Sequence, residues 1–331
     1  MKWLLIGAST IAQQFVIDAI RAGGDEISWL VSGDEQRAAA FAVKNNIARF
    51  TTDLKLALSQ QDIDAVYIST TNEKHFPQAM LALEYGKHVL CEKPMALSME
   101  EATTMIERAS ACNQVLAVNH HLRNAATIRK MRDEIRNGTL GDILTVRFCH
   151  AVSLPENLIG WRTDNSAGNG VIMDITVHDI DTLRFLLDDD VVAVSAMAQD
   201  GLLSQSGSVE TVMGTLRFSK GTLVSFFDSF TARNFETSID VIGTQGTLRA
   251  RNILTQNPVG EVTLHNRHGS EPLAIEHASL YERGLASFRD AIFNGGQPAA
   301  SGDDGRQSLA VSLAVVKAVS SGITVHIGEE Q

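Results

Sequence analysis

The sequence predicts an α/β protein of two domains. A doubly wound parallel sheet is expected over residues 1–120, followed by an α+β domain over residues 121–331 built on a large, mostly antiparallel or mixed sheet. Three observations point there. The chain opens on a short apolar strand, Trp3-Leu4-Leu5-Ile6, that runs straight into Gly7-Ala8-Ser9-Thr10-Ile11-Ala12. Strand-like and helix-like segments then alternate as far as residue 118, the pattern of right-handed crossovers between parallel strands. Beyond Asn119 long strand-like segments follow one another, separated by turn signals such as Lys220-Gly221 and Thr244-Gln245-Gly246.

The first turn is the most informative element. Gly7, without a Cβ, permits a tight turn after the strand, and the helix behind it would aim its N-terminal N–H groups and positive dipole end at a pyrophosphate. Ala12 is small enough for that helix to pack closely on the strand. Ser9 departs from the usual dinucleotide fingerprint, which has its second glycine there. The helix over 11–22 ends at Gly23-Gly24, and a strand over 26–32, a helix over 35–44 and a helix after Asp53 follow. Next come a strand over 65–69, a helix over 76–85 ending at Gly86, a strand over 88–91, a helix opened by the capping box Ser98-Met99-Glu100-Glu101, and a strand over 115–118. In the second domain a helix over 125–137 leads to a strand over 143–149, a loop with Pro155 and Gly160, and a helix over 171–187. Strands over 191–198, 211–218, 223–230, 237–242 and 262–265 precede two helices, over 280–293 and 307–321.

Composition narrows the class. With 331 residues, 44% hydrophobic and 20% charged, the chain can bury two cores, and its formal net charge of −11 repels nucleic acid and anionic membranes on average. Neither is an expected partner. The N-terminus enters a strand directly, with no leader pattern, and no apolar run reaches the ~18 residues of a spanning helix, so a cytoplasmic protein is expected. Cys91, Cys112 and Cys149 are odd in number and lack CxxC spacing, which reads as free thiols with no structural zinc.

Three constellations could carry chemistry. Cys91-Glu92-Lys93-Pro94 follows a strand, so in a doubly wound sheet these side chains emerge at the carboxyl ends, where ligands bind. Lys93 is either a cation for a carbonyl or alkoxide, or a surface lysine in a turn. Asp174 and His178 lie four apart in a helical stretch and so share a face, which suits proton transfer by an imidazole that a carboxylate orients. The competing readings are a helix-surface hydrogen bond and a metal site, and no metal is expected because Asp179 points to another face. Trp161-Arg162, in a Gly-flanked loop, could cover a planar cofactor or simply pack. Of His120-His121 one reads as a core or pocket histidine, and Asp188-Asp189-Asp190 as a solvated turn.

Taken in order, the Gly7 turn, Asp64-Ala65-Val66-Tyr67-Ile68-Ser69-Thr70, Gly86-Lys87-His88-Val89-Leu90-Cys91-Glu92-Lys93-Pro94, Asp174-Ile175-Thr176-Val177-His178-Asp179 and Gly243-Thr244-Gln245-Gly246 resemble the glucose-fructose oxidoreductase and inositol dehydrogenase (Gfo/Idh/MocA) family over the whole chain. Ser9 agrees with a subgroup of sugar-ketone reductases within it. The resemblance implies a Rossmann domain and NADPH-dependent reduction of the C2 ketone of an anhydro-sugar. It places Gly7, Ser9, Thr10, Ile11, Ala12, Ser32, Arg37, Thr70, Thr71, Asn72, His75, Glu92, Lys93, Asn119, Trp161, Arg162 and Tyr281 at the cofactor, and Lys93, Asp174 and His178 toward the sugar. Another sugar, polyol or dihydrodiol dehydrogenase is the alternative enzyme, and a nucleotide-sensing protein the non-catalytic one. Monomer and homo-oligomer both remain open. Independently, the end of the second strand carries Ser32, with Arg37 five residues on, where an NAD enzyme offers a carboxylate to the ribose 2′-hydroxyl. A hydroxyl and a guanidinium there favour NADP(H).

Overall fold

An all-apolar opening strand flanked by two more apolar strands has to be buried on both faces, and the computed structural model, which describes residues 1–164, 166 and 168–328, builds it so. Strands β1 (Lys2–Ile6), β2 (Glu26–Val31), β3 (Arg49–Thr51), β4 (Ala65–Ile68), β5 (His88–Cys91) and β6 (Leu116–Val118) form a parallel sheet in the order β3-β2-β1-β4-β5-β6. Between them run α1 (Ile17–Ala22), α2 (Glu35–Lys44), α3 (Leu54–Leu58), α4 (His75–Glu84) and α5 (Met99–Ala111). A π-helical turn, Ala12–Val16, leads into α1. The expected capping box forms at α5, where Ser98 Oγ accepts from the Glu101 amide while the Glu101 carboxylate reaches back to the Leu97 amide at 3.0 Å.

The chain divides into two units, Met1–His121 with Ser279–Arg306, and Leu122–Ala278 with Gln307–Gln331. This departs from the expectation that everything after residue 120 forms the second domain. The reason is local packing: Phe288, on the helix Leu280–Asn294, meets Trp3 with ring centroids 5.5 Å apart, and Arg289 pairs with Asp25, which also accepts from the Trp3 indole. The Val118 amide donates to the Ala300 carbonyl at 3.1 Å, extending the edge of β6.

In the second unit α6 (Ala126–Arg136), β7 (Ile143–Ala151), α7 (Val177–Leu187), β8 (Val191–Asp200), β9 (Val209–Phe218), β10 (Leu223–Ser229), β11 (Ser238–Gly243), β12 (Gly246–Arg251), β13 (Glu261–Asn266), β14 (Gly269–Pro272) and β15 (Val325–His326) are placed. The sheet runs β14-β13-β12-β11-β7-β10-β9-β8-β15. Only β7 and β10 pair parallel within it, so the expected mixed sheet is what forms. Alternation gives it one buried face, which includes Val146, Phe148, Val224 and Phe226, and one open face with Met197 and Met213. Helix α7, extended at its start by the π-turn Ile172–Thr176, buries polar residues with their partners: Asp181 takes two hydrogen bonds from the Arg123 guanidinium, at 2.6 and 2.8 Å, and one from Ser308. The C-terminal helix Gly302–Ser321 begins five residues before the expected 307.

At Gly7 the backbone is at φ +113°, and an added Cβ would lie 2.8 Å from the Ser69 carbonyl oxygen. Gly7→Ala should therefore cost on the order of 1–3 kcal/mol. Thermal unfolding of the purified variant is the check, and an unchanged Tm would mean that the β1–β4 approach relaxes freely.

Candidate active site

In a parallel sheet every strand delivers its following loop to the same edge, and that edge gathers the first unit's candidate residues. Gly7 and Ser9 follow β1, Ser32 follows β2, Thr70 to His75 follow β4, Glu92 and Lys93 follow β5, and Asn119 follows β6. Ser9 takes over the work of a capping residue: its Oγ accepts from the Ala12 amide at 3.1 Å and donates to Ser69 Oγ at 2.8 Å. Ala12 is fully buried, as close helix–strand packing requires, while Thr10 is exposed and Ile11 half-buried. Asp34 caps α2 through the Arg37 amide, and the Arg37 guanidinium crosses to the Ala8 carbonyl at 2.7 Å. Arg37, distant in sequence from the Gly7 turn, is thus brought onto it, and Ser32 is buried beside Thr51.

The segment after β4 is tied to the segment after β5 by His75. Its buried ring faces the Pro94 carbonyl through Nδ1 at 2.8 Å and the Thr70 carbonyl through Nε2 at 3.2 Å. Burial is the largest influence on this ring and lowers its basicity. His75 brackets the turn that presents Lys93. Thr70 Oγ1 donates to Gln78, and Asn72 is buried.

Glu92 is held by residues from two neighbouring strands. Tyr67, in the middle of β4 and fully buried, donates its hydroxyl to Glu92 Oε1 at 2.6 Å, and Asn119 Nδ2 donates to the same oxygen at 2.6 Å. Sequence reasoning missed Tyr67; the one available signal was a phenol inside an otherwise aliphatic strand. Burial raises the Glu92 carboxyl above its ordinary value, against the downward pull of Asn119, Tyr67 and the Lys93 charge. Burial and the adjacent Glu92 likewise raise Tyr67 far above the usual phenol range, which keeps it a donor. Tyr281 stacks between Phe15 and His121, with centroids 5.2 and 5.3 Å away, and both His120 and His121 are buried. The Tyr281 hydroxyl is buried and closes no hydrogen bond among the described residues.

The second unit holds a separate group. Arg162 donates from Nε to Asp174 Oδ2 at 3.1 Å and lies against the Trp161 ring at 4.4 Å, so Trp161, Arg162 and Asp174 form one cluster. Asp174 lies in the π-turn, half-buried, and His178 is buried in the first turn of α7. Among the described residues no group of three or more His, Cys, Asp or Glu side chains is placed to hold a metal. No helix there is long and apolar enough to cross a membrane.

The sheet-edge turn fits a dinucleotide. Gly7 lets the turn close against Ser69, a helix follows that turn, and the same unit holds a buried tyrosine hydroxyl that closes no hydrogen bond among the described residues. The comparisons agree with this class of protein. The NAD-binding Rossmann-fold model of the oxidoreductase family matches residues 1–120, and the Gfo/Idh/MocA C-terminal domain model matches residues 128–249. The chain belongs to the Gfo/Idh/MocA family and is an oxidoreductase. It is 48% identical to the 1,5-anhydro-D-fructose reductase of Ensifer adhaerens over 327 residues, 98% of both chains. The aldose-aldose oxidoreductase of Caulobacter crescentus, solved with glycerol, superposes at a TM-score of 0.91 with 22% identity over 99% of both chains. A levoglucosan dehydrogenase solved with NADH and levoglucosan superposes at 0.88 with 22% identity, over 99% of this chain and 100% of that one.

The Glu92 arrangement has a consequence for stability. A carboxyl raised in the folded state contributes stability that is present below the ordinary carboxylate range and is lost as pH rises through the raised value. Gln at this position accepts from both Tyr67 and Asn119 without a charge to bury. Glu92→Gln should match the parent near pH 4 and gain on it toward pH 7 by on the order of 1 kcal/mol, a modest figure because Glu92 keeps partial contact with solvent. Tm measured across that range decides, and a variant losing ground as pH rises would show that the charged form is the one the fold favours.

Proposed function

We propose that the protein reduces the C2 ketone of 1,5-anhydro-D-fructose to the alcohol of 1,5-anhydro-D-mannitol, with NADPH as the reductant. What supports this reading is the 48% identity, over 98% of both chains, to a relative named as a reductase of that sugar. Bound NADPH would supply the hydride. As the carbonyl carbon receives it, the carbon–oxygen π pair moves onto oxygen, so the protein's task is to hold positive charge and a proton at that atom. Lys93 provides the charge, presented by the turn that His75 brackets. His178 delivers the proton from its imidazolium form, and Asp174, anchored by Arg162, positions it. Gly7, Ser9 to Ala12, Ser32, Arg37, Thr70 to Asn72, Glu92, Asn119 and Tyr281 hold the dinucleotide. Trp161 and Arg162 are assigned to the cofactor by the family resemblance. The same reading puts the reaction in the cytoplasm, supported by three cysteines that are free.

Steady-state kinetics test the reading. kcat/KM for 1,5-anhydro-D-fructose should exceed that for glucose and for myo-inositol. His178→Asn and Lys93→Met should each lower kcat by roughly a hundredfold or more. Higher efficiency with an aldose or inositol would overturn the substrate, and near-parental turnover in both variants would overturn the roles.

Preference for NADPH rests on Ser32 and Arg37. Ser32 offers a hydroxyl where a carboxylate would repel a 2′-phosphate, and Arg37 spends one of its five N–H donors on the Ala8 carbonyl, leaving others for a phosphate. Arg37→Ala should raise KM for NADPH roughly tenfold while sparing NADH, and Ser32→Asp should shift preference toward NADH. Equal losses with both cofactors in Arg37→Ala would mean that the guanidinium only braces the Gly7 turn.

A further inference from the structure

Behind the helix that carries Asp174 and His178, three titratable side chains meet out of solvent. Strand β10 pairs parallel with β7 so that Asp228 lies beside His150 on the buried face. From α7, Asp179 reaches the same place, and His150 Nδ1 lies 2.7 Å from Asp179 Oδ1. Asp228 is 0% exposed, Asp179 1% and His150 8%. Thr176, three residues before Asp179, faces Asp228 from the π-turn, which packs on β10. The groups around Asp228 are therefore His150 from β7, with Cys149 beside it on the opposite face of the strand, Asp179 from α7 and the Thr176 hydroxyl, while β9 sets apolar Val212 opposite it.

Two carboxylates this deeply buried, with a single imidazole between them, do not both ionise, because neither desolvation nor their repulsion would be offset. We propose that Asp179 and Asp228 share one proton beside His150, and that this cluster is a positioning device that locks the π-turn and thereby orients Asp174 and His178. Asp228 is the neutral partner: burial first, and the Asp179 charge next, push its carboxyl well above the ordinary range. Its O–H is directed to Asp179, the Thr176 hydroxyl stands near it from the π-turn, and His150 donates from Nδ1 to Asp179. Cys149, pushed up by burial to about 11, stays a thiol and leaves the charge count unchanged. π-turns recur at functional sites, and this one packs on β10 while the helical turn that follows it is tied to β7 through Asp179 and His150. The proposal rests on the assignment of Asp174 and His178 to the chemistry.

The decisive experiment compares Asp228→Asn, which keeps the shape of the neutral acid, with Asp228→Ala, using spectroscopic readouts that need no substrate. Infrared spectra of protein with isotope-labelled aspartate should show the carbonyl stretch of a protonated carboxylic acid at neutral pH, absent in Asp228→Asn. In NMR spectra the ring signals of His178, assigned by their loss in His178→Asn, should stay in place in Asp228→Asn and shift in Asp228→Ala. With 1,5-anhydro-D-fructose, Asp228→Ala should lose about tenfold in kcat at unchanged KM for NADPH, and Asp228→Asn should recover most of that loss. If Asp228→Ala does not fold, the infrared band and the His178 signals of Asp228→Asn still decide. No acid band at neutral pH, or equal His178 shifts in both variants, would overturn the proposal. Failure of turnover with this sugar while both spectroscopic results hold would overturn the substrate alone.

Discussion

Parallel pairing of β1 with β2 on one side and β4 on the other is the constraint on which the first unit's chemistry depends. It sends every following loop to one edge, and it brings the Ser69 carbonyl so near Gly7 that no side chain fits between them. The sheet edge then accumulates groups whose sequence positions have nothing in common. Arg37 reaches the Ala8 carbonyl, His75 the Pro94 carbonyl, and Tyr67 and Asn119 converge on one oxygen of Glu92. Each bond is ordinary in length; what is unusual is how many of them meet on one side of the sheet. Because they satisfy one another, the loops at this edge are braced from several strands at once.

The second unit solves a different problem. Helix α7 is buried along nearly its whole length yet carries Asp179, Asp181, His178 and Thr182. Buried charges are tolerable only as completed sets, and breaking one by removing a partner typically costs about 3–5 kcal/mol. Asp181 is held by Arg123 and Ser308, and Asp179 by His150 through one oxygen, so opposite sides of one helical turn are fixed to different neighbours. Polar anchoring of this kind fixes the rotation of the helix more sharply than apolar packing does, since a hydrogen bond tolerates less displacement than a hydrophobic contact. The face that carries Asp174 and His178 takes its direction from those anchors.

Ionisation couples these networks to pH without placing any titrating group in the open. Glu92 and Asp228 are both carboxyls raised chiefly by burial, and Glu92 takes the Tyr67 hydroxyl while Asp228 lies near that of Thr176. They differ in what stands beside them. Glu92 precedes Lys93, whose charge pulls it back toward ionisation, while Asp228 faces a second carboxylate that pushes it further up.

Much of the fold was legible along the chain because its signals are local. The Gly7 turn, the Ser98 capping box, helix 35–44 and the strand His88–Cys91 are set by neighbours a few residues away, and they form where the pattern placed them. The sheet-edge position of Lys93 was legible for the same reason, since strand ends follow from strand patterns. Strands β3, β12, β14 and β15 escaped notice: β3 and β15 are three and two residues long, and β12 and β14 are polar or glycine-containing segments whose pairing comes from β11 and β13. Tyr67 and Glu92 are 25 residues apart, Asp228 and His150 meet only through strand register, and Ser279–Arg306 packs with the first unit through Phe288 and Arg289. Periodicity reports which face of an element is apolar and says nothing of which element will cover it. The sequence alone therefore determined the elements, the turn chemistry and the candidate residues, while the tertiary structure decided which buried polar groups complete one another, because that depends on register and packing between segments distant along the chain.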